Sequence, residues 1–120
     1  MLGARFDGHP ISGPGTIVNE RPDFPATKHF PASFAFSDEF YQPKDHSRDK
    51  IDVLLRLDLS NVPANDSLKL KGDYPLAWSQ PYGRGRAYYN ALGHFSSTWA
   101  DARFTRQIAG AIRWAASRVP

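Results

Sequence analysis

Hydrophobic positions along the chain keep two different periods. Between residues 33 and 58 apolar side chains tend to alternate with polar ones, whereas beyond residue 101 they recur at the three-and-four spacing of a helix. Ser33-Phe34-Ala35-Phe36-Ser37-Asp38-Glu39 predicts a strand with Phe34 and Phe36 on one face and Ala35, Ser37 and Glu39 on the other. Ile51 to Asp58 predicts the strongest strand. Val53, Leu55 and Leu57 share one face and Leu54 takes the other, as expected for a strand inside a sheet. Thr16 to Asn19 reads as a shorter strand, broken by Pro22 and Pro25, which fix φ and remove donors. Pro75 to Gln80 and Arg84 to Asn90 flank Pro81-Tyr82-Gly83 as a hairpin. From about Asp101 to Ser117, Phe104, Ile108, Ala111, Ile112 and Ala115 form an apolar helical stripe. Thr98 with Asp101 resembles a capping box, or Asp101 is itself the N-cap. Residues 1–14, rich in Gly and Pro, read as loop, Ala26 to Phe30 as a single helical turn, and residues 60–73 as a polar connection.

About five strands and one helix make an α/β unit. One helix covers only part of one sheet face. A largely parallel sheet would need cover on its other face as well. Either the sheet is more antiparallel than that, or the chain self-associates or packs on a partner chain.

Composition narrows the function classes. The 120 residues suit one domain, 1–120, and 41% hydrophobic with 22% charged residues excludes a disordered chain. The net charge of +3 is spread along the sequence without a run of five like charges, which argues against nucleic acid as a partner. The absence of cysteine removes disulfides, thiolate nucleophiles and cysteine-based zinc sites. Met1 to Asp7 lacks an apolar signal core, and no apolar run approaches the roughly 18 residues of a membrane span. A soluble, cytoplasmic protein is the expectation.

Candidate chemistry concentrates around His94. It follows Gly93 near a strand end, where ligands collect in α/β folds and where glycine lets the backbone come close. An imidazole serves as acid, base or metal ligand near neutral pH; the bland alternative is a histidine that only bonds within a turn. Asp38 and Glu39 end an apolar strand, and as neighbours they point to opposite faces, so only one is expected to be catalytic. Glu39 is favoured, with Tyr41 on its face; the alternative is a pair of solvated strand-end charges. A carboxylate with a histidine supports proton transfer next to a carbonyl, whereas glycoside hydrolysis usually needs two carboxyl groups. His9, Glu39 and His94 could together take a divalent metal, although their spacing is not zinc-like. Trp78 and Trp99 are candidate pocket walls for a sugar, set against ordinary packing. Trp114 reads as packing, Arg84 and Arg86 as a solvated hairpin edge, and His29 and His46 as surface residues.

Several separated motifs stand in a familiar order: Gly8-His9-Pro10, Ser37-Asp38-Glu39-Phe40-Tyr41, Val53-Leu54-Leu55, Pro75-Leu76-Ala77-Trp78, Tyr82-Gly83-Arg84-Gly85-Arg86, Tyr89-Asn90-Ala91-Leu92-Gly93-His94, Trp99 and Gly110-Ala111-Ile112-Arg113-Trp114-Ala115. In this the chain resembles ThuA-like (trehalose-utilisation) domains of the class I glutamine-amidotransferase-like superfamily. The resemblance implies part of a flavodoxin-like or amidotransferase-like sheet. The family domain is longer, with an N-terminal βα half, and this chain resembles its C-terminal half. Where the family often carries His-Pro-x-Thr, this chain has Phe24-Pro25-Ala26-Thr27. The resemblance further implies a role in the use of disaccharides or 3-keto-sugars. The combined expectation is a carbohydrate-active enzyme, a glycosidase or a keto-sugar isomerase or lyase. Glu39 and His94 would do acid/base work, and His9, Asp38, Tyr41, Trp78 and Trp99 would contact a small sugar. The alternative is a non-catalytic sugar-binding or assembly module. No cofactor is specified beyond that possible divalent metal.

Overall fold

In a computed structural model, which describes residues 1–117, five strands form one sheet. They are β2 (Ile11–Asn19), β3 (Ser33–Phe40), β5 (Asp52–Leu57), β6 (Pro75–Tyr82) and β7 (Gly85–Asn90), in spatial order β3-β2-β5-β6-β7. A small ribbon pairs β1 (Arg5–Phe6) with β4 (Pro43–Lys44). Every pairing is antiparallel, which resolves the question of sheet direction. Helices α1 (Ser96–Ala100) and α2 (Ala102–Ala116) follow β7. The expected count of five strands with a C-terminal helix agrees with this architecture.

The local differences have physical causes. β2 starts five residues earlier than its apolar content suggests, and takes Gly13-Pro14-Gly15 into the strand. Proline is tolerated there because that part of β2 pairs with β3 alone; only Ile17 to Asn19 also pair with β5. Gly15 is required for room, since a Cβ would come within 3.0 Å of both Leu57 and Phe40. In β5 all four apolar residues are buried, as expected of an inner strand. A register shift between Val53 and Leu55 sends Val53 into a cluster with Ile51 and Trp78, apart from Leu55 and Leu57 in the main core. The hairpin turn is Gly83-Arg84, with Gly83 at φ +59° in the first central position of a two-residue loop.

The helical segment is two pieces. Asp101 is the N-cap of α2 and accepts from the Arg103 N–H, which decides between the two capping arrangements. The buried stripe of α2 is Phe104, Gln107, Gly110 and Ala111, while Ile112 and Ala115 face outward. Gly110 explains the difference. A Cβ there would lie 2.7 Å from the Pro25 carbonyl oxygen and 2.9 Å from the Ala26 Cα. The helix therefore leans on the 24–27 segment along its glycine edge rather than along Ile112. No helix among the described residues is long and apolar enough to cross a membrane.

The sheet curls enough for its two edges to communicate. The loop leaving β7 reaches β3 at the opposite edge, where Asp38 accepts the backbone N–H of Gly93. That crossing places the candidate site.

Candidate active site

Period-two geometry at the end of β3 gives two neighbouring acids different work. Asp38 shares the inner face with Phe34, Phe36 and Phe40 and is fully buried. One of its oxygens accepts from the N–H groups of Glu39, His94 and Phe95 at 2.9–3.1 Å. The other accepts from the Gly93 N–H at 2.7 Å and the Thr98 hydroxyl at 2.9 Å. A buried carboxylate needs this saturation to be tolerable. Asp38, expected to contact substrate, instead holds the 93–95 loop by these bonds. Its oxygens are spent on the backbone of the 93–95 loop and on α1, and none faces solvent.

Glu39 takes the outer face and meets the side chain of the same loop. Its Oε2 lies 3.1 Å from His94 Nε2, and its Oε1 lies 3.3 Å from His9 Nδ1. On the far side of the His94 ring, Nδ1 bonds the Tyr41 hydroxyl at 3.0 Å. The structure therefore brings Glu39, His94, His9 and Tyr41 together from three separate segments. Glu39 is mostly covered, its side chain 14% exposed, while the His9 and His94 side chains are 54% and 47% exposed. A ligand reaches the rings and the phenol before the carboxylate.

Each residue is held from below. His9 follows Gly8 at φ +94°, a left-handed conformation that glycine adopts without penalty. The Gly8 carbonyl accepts from the Gln42 N–H, and the Gln42 carbonyl accepts from the Asp7 N–H, both at 2.8 Å. The buried Gln42 side chain donates to the carbonyls of Asp7 and Ser67 and accepts from the Lys69 and Leu70 N–H groups. It ties the His9 loop to the 65–70 connection. Gly93 sits at φ +120°, and its carbonyl accepts from the Trp99 indole at 2.9 Å.

Proton positions follow from donor chemistry. An ionised carboxylate only accepts, so the ring nitrogens facing Glu39 carry hydrogens. A neutral His94 then has an acceptor at Nδ1 for the Tyr41 hydroxyl. Tyr41, His94 and Glu39 stand in a hydrogen-bonded row of phenol, imidazole and carboxylate, the order of group types found in hydroxyl–imidazole–carboxylate triads.

The aromatic expectations divide. Trp99 is 57% exposed, packs edge-on against Phe104 and flanks the His94 loop. Trp78 is 1% exposed, stacks on Tyr89 and donates its indole N–H to the Leu2 carbonyl. It packs beneath the N-terminal segment, behind the open site rather than beside His94. Phe6 is the aromatic residue that sequence reading missed. It lies edge-on to Tyr41 with centroids 5.1 Å apart and stacks near His9. Only its place in a two-residue ribbon brings it there, and no periodic signal announces so short a strand.

The metal expectation finds no support in the geometry. His9 and His94 each face a separate oxygen of Glu39 rather than a common point, and no group of three or more His, Asp or Glu with a metal-holding arrangement occurs among the described residues. His29 bonds the Arg103 carbonyl at 2.8 Å, and partial burial holds its pKa below the ordinary value. His46 is more covered than its surroundings in sequence suggest, its side chain 12% exposed against Asp73. A larger depression, about 580 Å3, lies elsewhere, between Arg48, Lys50, Gln80 and Trp114. Arg86 stacks 4.6 Å over the Trp114 ring there and occupies the aromatic face a ligand would use.

The family described as ThuA, trehalose utilisation, matches residues 1–115. A ThuA-like protein from Bacteroides uniformis has a crystal structure that is similar at 28% identity with a TM-score of 0.78, over 98% of this chain and 49% of that one. A ThuA-like protein from Parabacteroides merdae is similar at 20% identity with a TM-score of 0.62, over 98% of this chain and 44% of the other, and speaks for the fold alone. The chain thus spans about half the length of these solved relatives. No protein of curated function matches it.

Proposed function

The chain belongs to the ThuA trehalose-utilisation family, and from that premise we propose that it transfers a proton at a carbon next to the carbonyl of a keto-sugar derived from a disaccharide. The observation that carries this reading is the Tyr41–His94–Glu39 relay, with His9 on the second oxygen of the same carboxylate. In it, His94 backed by Glu39 accepts the Tyr41 proton at Nδ1, and the phenol oxygen takes the proton of the substrate. The C–H bond breaks, its electron pair moves onto the carbonyl oxygen, and the resulting enolate faces the half-exposed His9 ring. General acid/base catalysis of this kind supplies about 10²–10⁴-fold.

Glycosidase chemistry fits the site less well. It needs two carboxyl groups flanking the bond. Asp38 is saturated and buried, and Asp7 is held by Lys44 and Lys69 at 3.1 Å. The test incubates the protein with a 3-keto-disaccharide in deuterated water and follows exchange at the carbons beside the carbonyl by NMR. Exchange is expected, and its loss in Glu39→Gln. Hydrolysis of plain nitrophenyl glycosides without exchange would move the assignment to a glycosidase. Saturable binding with neither reaction, unchanged by Glu39→Gln, would leave a sugar-binding module.

A further inference from the structure

A cavity of about 280 Å3, mostly apolar but lined also by Arg5 and Gln42, adjoins the relay. Leu2, Ala4, Phe6, Tyr41, Trp78 and Tyr89 are among its walls. Two of these belong to both places. Tyr41 bonds His94 on one side and lines the cavity on the other, and Phe6 touches the rings of Tyr41 and His9 while forming part of the wall. Trp78, almost fully buried, backs this wall through its stack on Tyr89, with ring centroids 4.2 Å apart. Leu2 and Phe6 are more than half exposed and stand at the rim. The Trp78 indole N–H is already satisfied by the Leu2 carbonyl at 2.8 Å, so that wall presents no free donor.

Such a space suits an apolar ring better than a second sugar. A cavity of roughly 150 Å3 lined by apolar side chains holds a benzene-sized molecule, whereas a pyranose brings hydroxyls that need partners when buried. We propose that this cavity is the subsite for an aromatic aglycone, so that the substrate is an aryl-substituted keto-glycoside whose ring lies between Phe6 and the Trp78–Tyr89 stack. The sugar then sits over Tyr41, His94 and His9. This assignment rests on the keto-sugar reading for the sugar half, but the ring half stands on the cavity alone.

The experiment has two arms. In the first, phenol is titrated into the isotopically labelled chain, and the Trp78 indole and Ala4 amide resonances are followed. Saturable shifts at both are expected, and no saturable shift at either overturns the subsite. In the second, affinities for phenyl and methyl 3-keto-glucosides are compared by calorimetry. Burying the ring is expected to favour the phenyl compound by roughly tenfold or more. Ala4→Leu, which fills the cavity, should bring that ratio close to one while leaving the methyl compound unaffected. Phe6→Ala, at an exposed position and thus unthreatening to the fold, should lower the ratio in the same direction. A ratio near one in the unaltered protein, or a high ratio that both variants retain, overturns the proposal. If phenol binds but neither glucoside does, the sugar reading fails and the aromatic subsite survives.

Discussion

Two clusters among the described residues pair a histidine with a carboxylate, and they differ in what else the carboxylate faces. At the His94 cluster, both oxygens of Glu39 face imidazoles. At the other, the Asp73 carboxylate faces His46 at 3.3 Å but also Arg48 at 2.6 Å. Arg48 continues to Glu20 at 2.7 Å, and Arg56 joins Glu20 at 2.8 Å. Guanidinium does not release its proton in proteins. Hydrogen bonding to Arg48 holds the Asp73 carboxyl below its ordinary value, and Asp73 in turn pushes the Arg48 pKa upward. Arg48, Asp73, Glu20 and Arg56 make an ion-pair network that ties β5 to the loops around it. The His94 cluster contains no guanidinium, and imidazole is the side chain that exchanges protons near neutral pH. The composition of the cluster, more than the presence of a histidine beside an acid, separates the proposed relay from the brace.

The sharpest way to break this contrast is to neutralise each carboxylate in turn. Glu39→Gln should lower turnover of a 3-keto-disaccharide by about 10²–10⁴-fold, the usual worth of an acid/base group, while the melting temperature stays near that of the unaltered chain. Asp73→Asn should leave turnover within about twofold, since surface ion pairs contribute little beyond stability. Steady-state rates and thermal melts on the two variants settle the matter. Equal rate losses in both would mean that the distinction between them is empty.

Asp38 stands next in size, because it joins the fold to the relay. Asp38→Ala strips five hydrogen bonds and leaves the buried Thr98 hydroxyl and neighbouring N–H groups without an acceptor. A loss of about 3–5 kcal/mol is expected, the range for breaking a buried charged contact. Urea titration measures it. Stability preserved within about 1 kcal/mol would show that the 93–95 loop does not depend on that carboxylate. Gly93→Ala should cost less, about 1–3 kcal/mol, because φ +120° is unfavourable for any residue with a Cβ. It should also displace the His94 ring, so that turnover falls more than the melting temperature would suggest.

How much of this was legible beforehand differs by residue. Alternation along β3 put Glu39 and Asp38 on opposite faces and Glu39 with Tyr41, and the structure has that arrangement. The work of Asp38 was not legible, because four of its five partners lie 55 to 60 residues further on and arrive only when the sheet curls. β2 was half hidden because Gly13-Pro14-Gly15 looks like a turn, and only a strand with one neighbour there can contain it. Ile112 fitted the helical period and still faces outward, since Gly110 and not a large side chain marks the line of closest approach. Val53 left its expected face because a bulge in β5 breaks the two-residue count. Local period carried the elements. Contacts across the sheet, which no window of sequence contains, decided the assignments that changed.

The smallest effect concerns acid, and it sharpens the contrast from the side of the brace. In the folded protein the Asp73 carboxyl titrates below its ordinary value of 3.8, chiefly through its hydrogen bond to Arg48. The unfolded chain therefore binds the proton first as pH falls, so the ion pair stabilises fully above that ordinary value. The contribution is lost as pH drops through the lowered folded value. Asp73 is more than a third exposed, so solvent screening limits the effect to about 0.5–1 kcal/mol. Thermal melts should place Asp73→Asn below the unaltered chain at pH 6 in low salt, with the gap narrowing as pH falls below 4 and also on adding salt. A gap of constant size down to pH 2.5 would mean that the asparagine disturbs packing rather than charge, and Arg48 would then brace β5 by its hydrogen bonds to Glu20 alone.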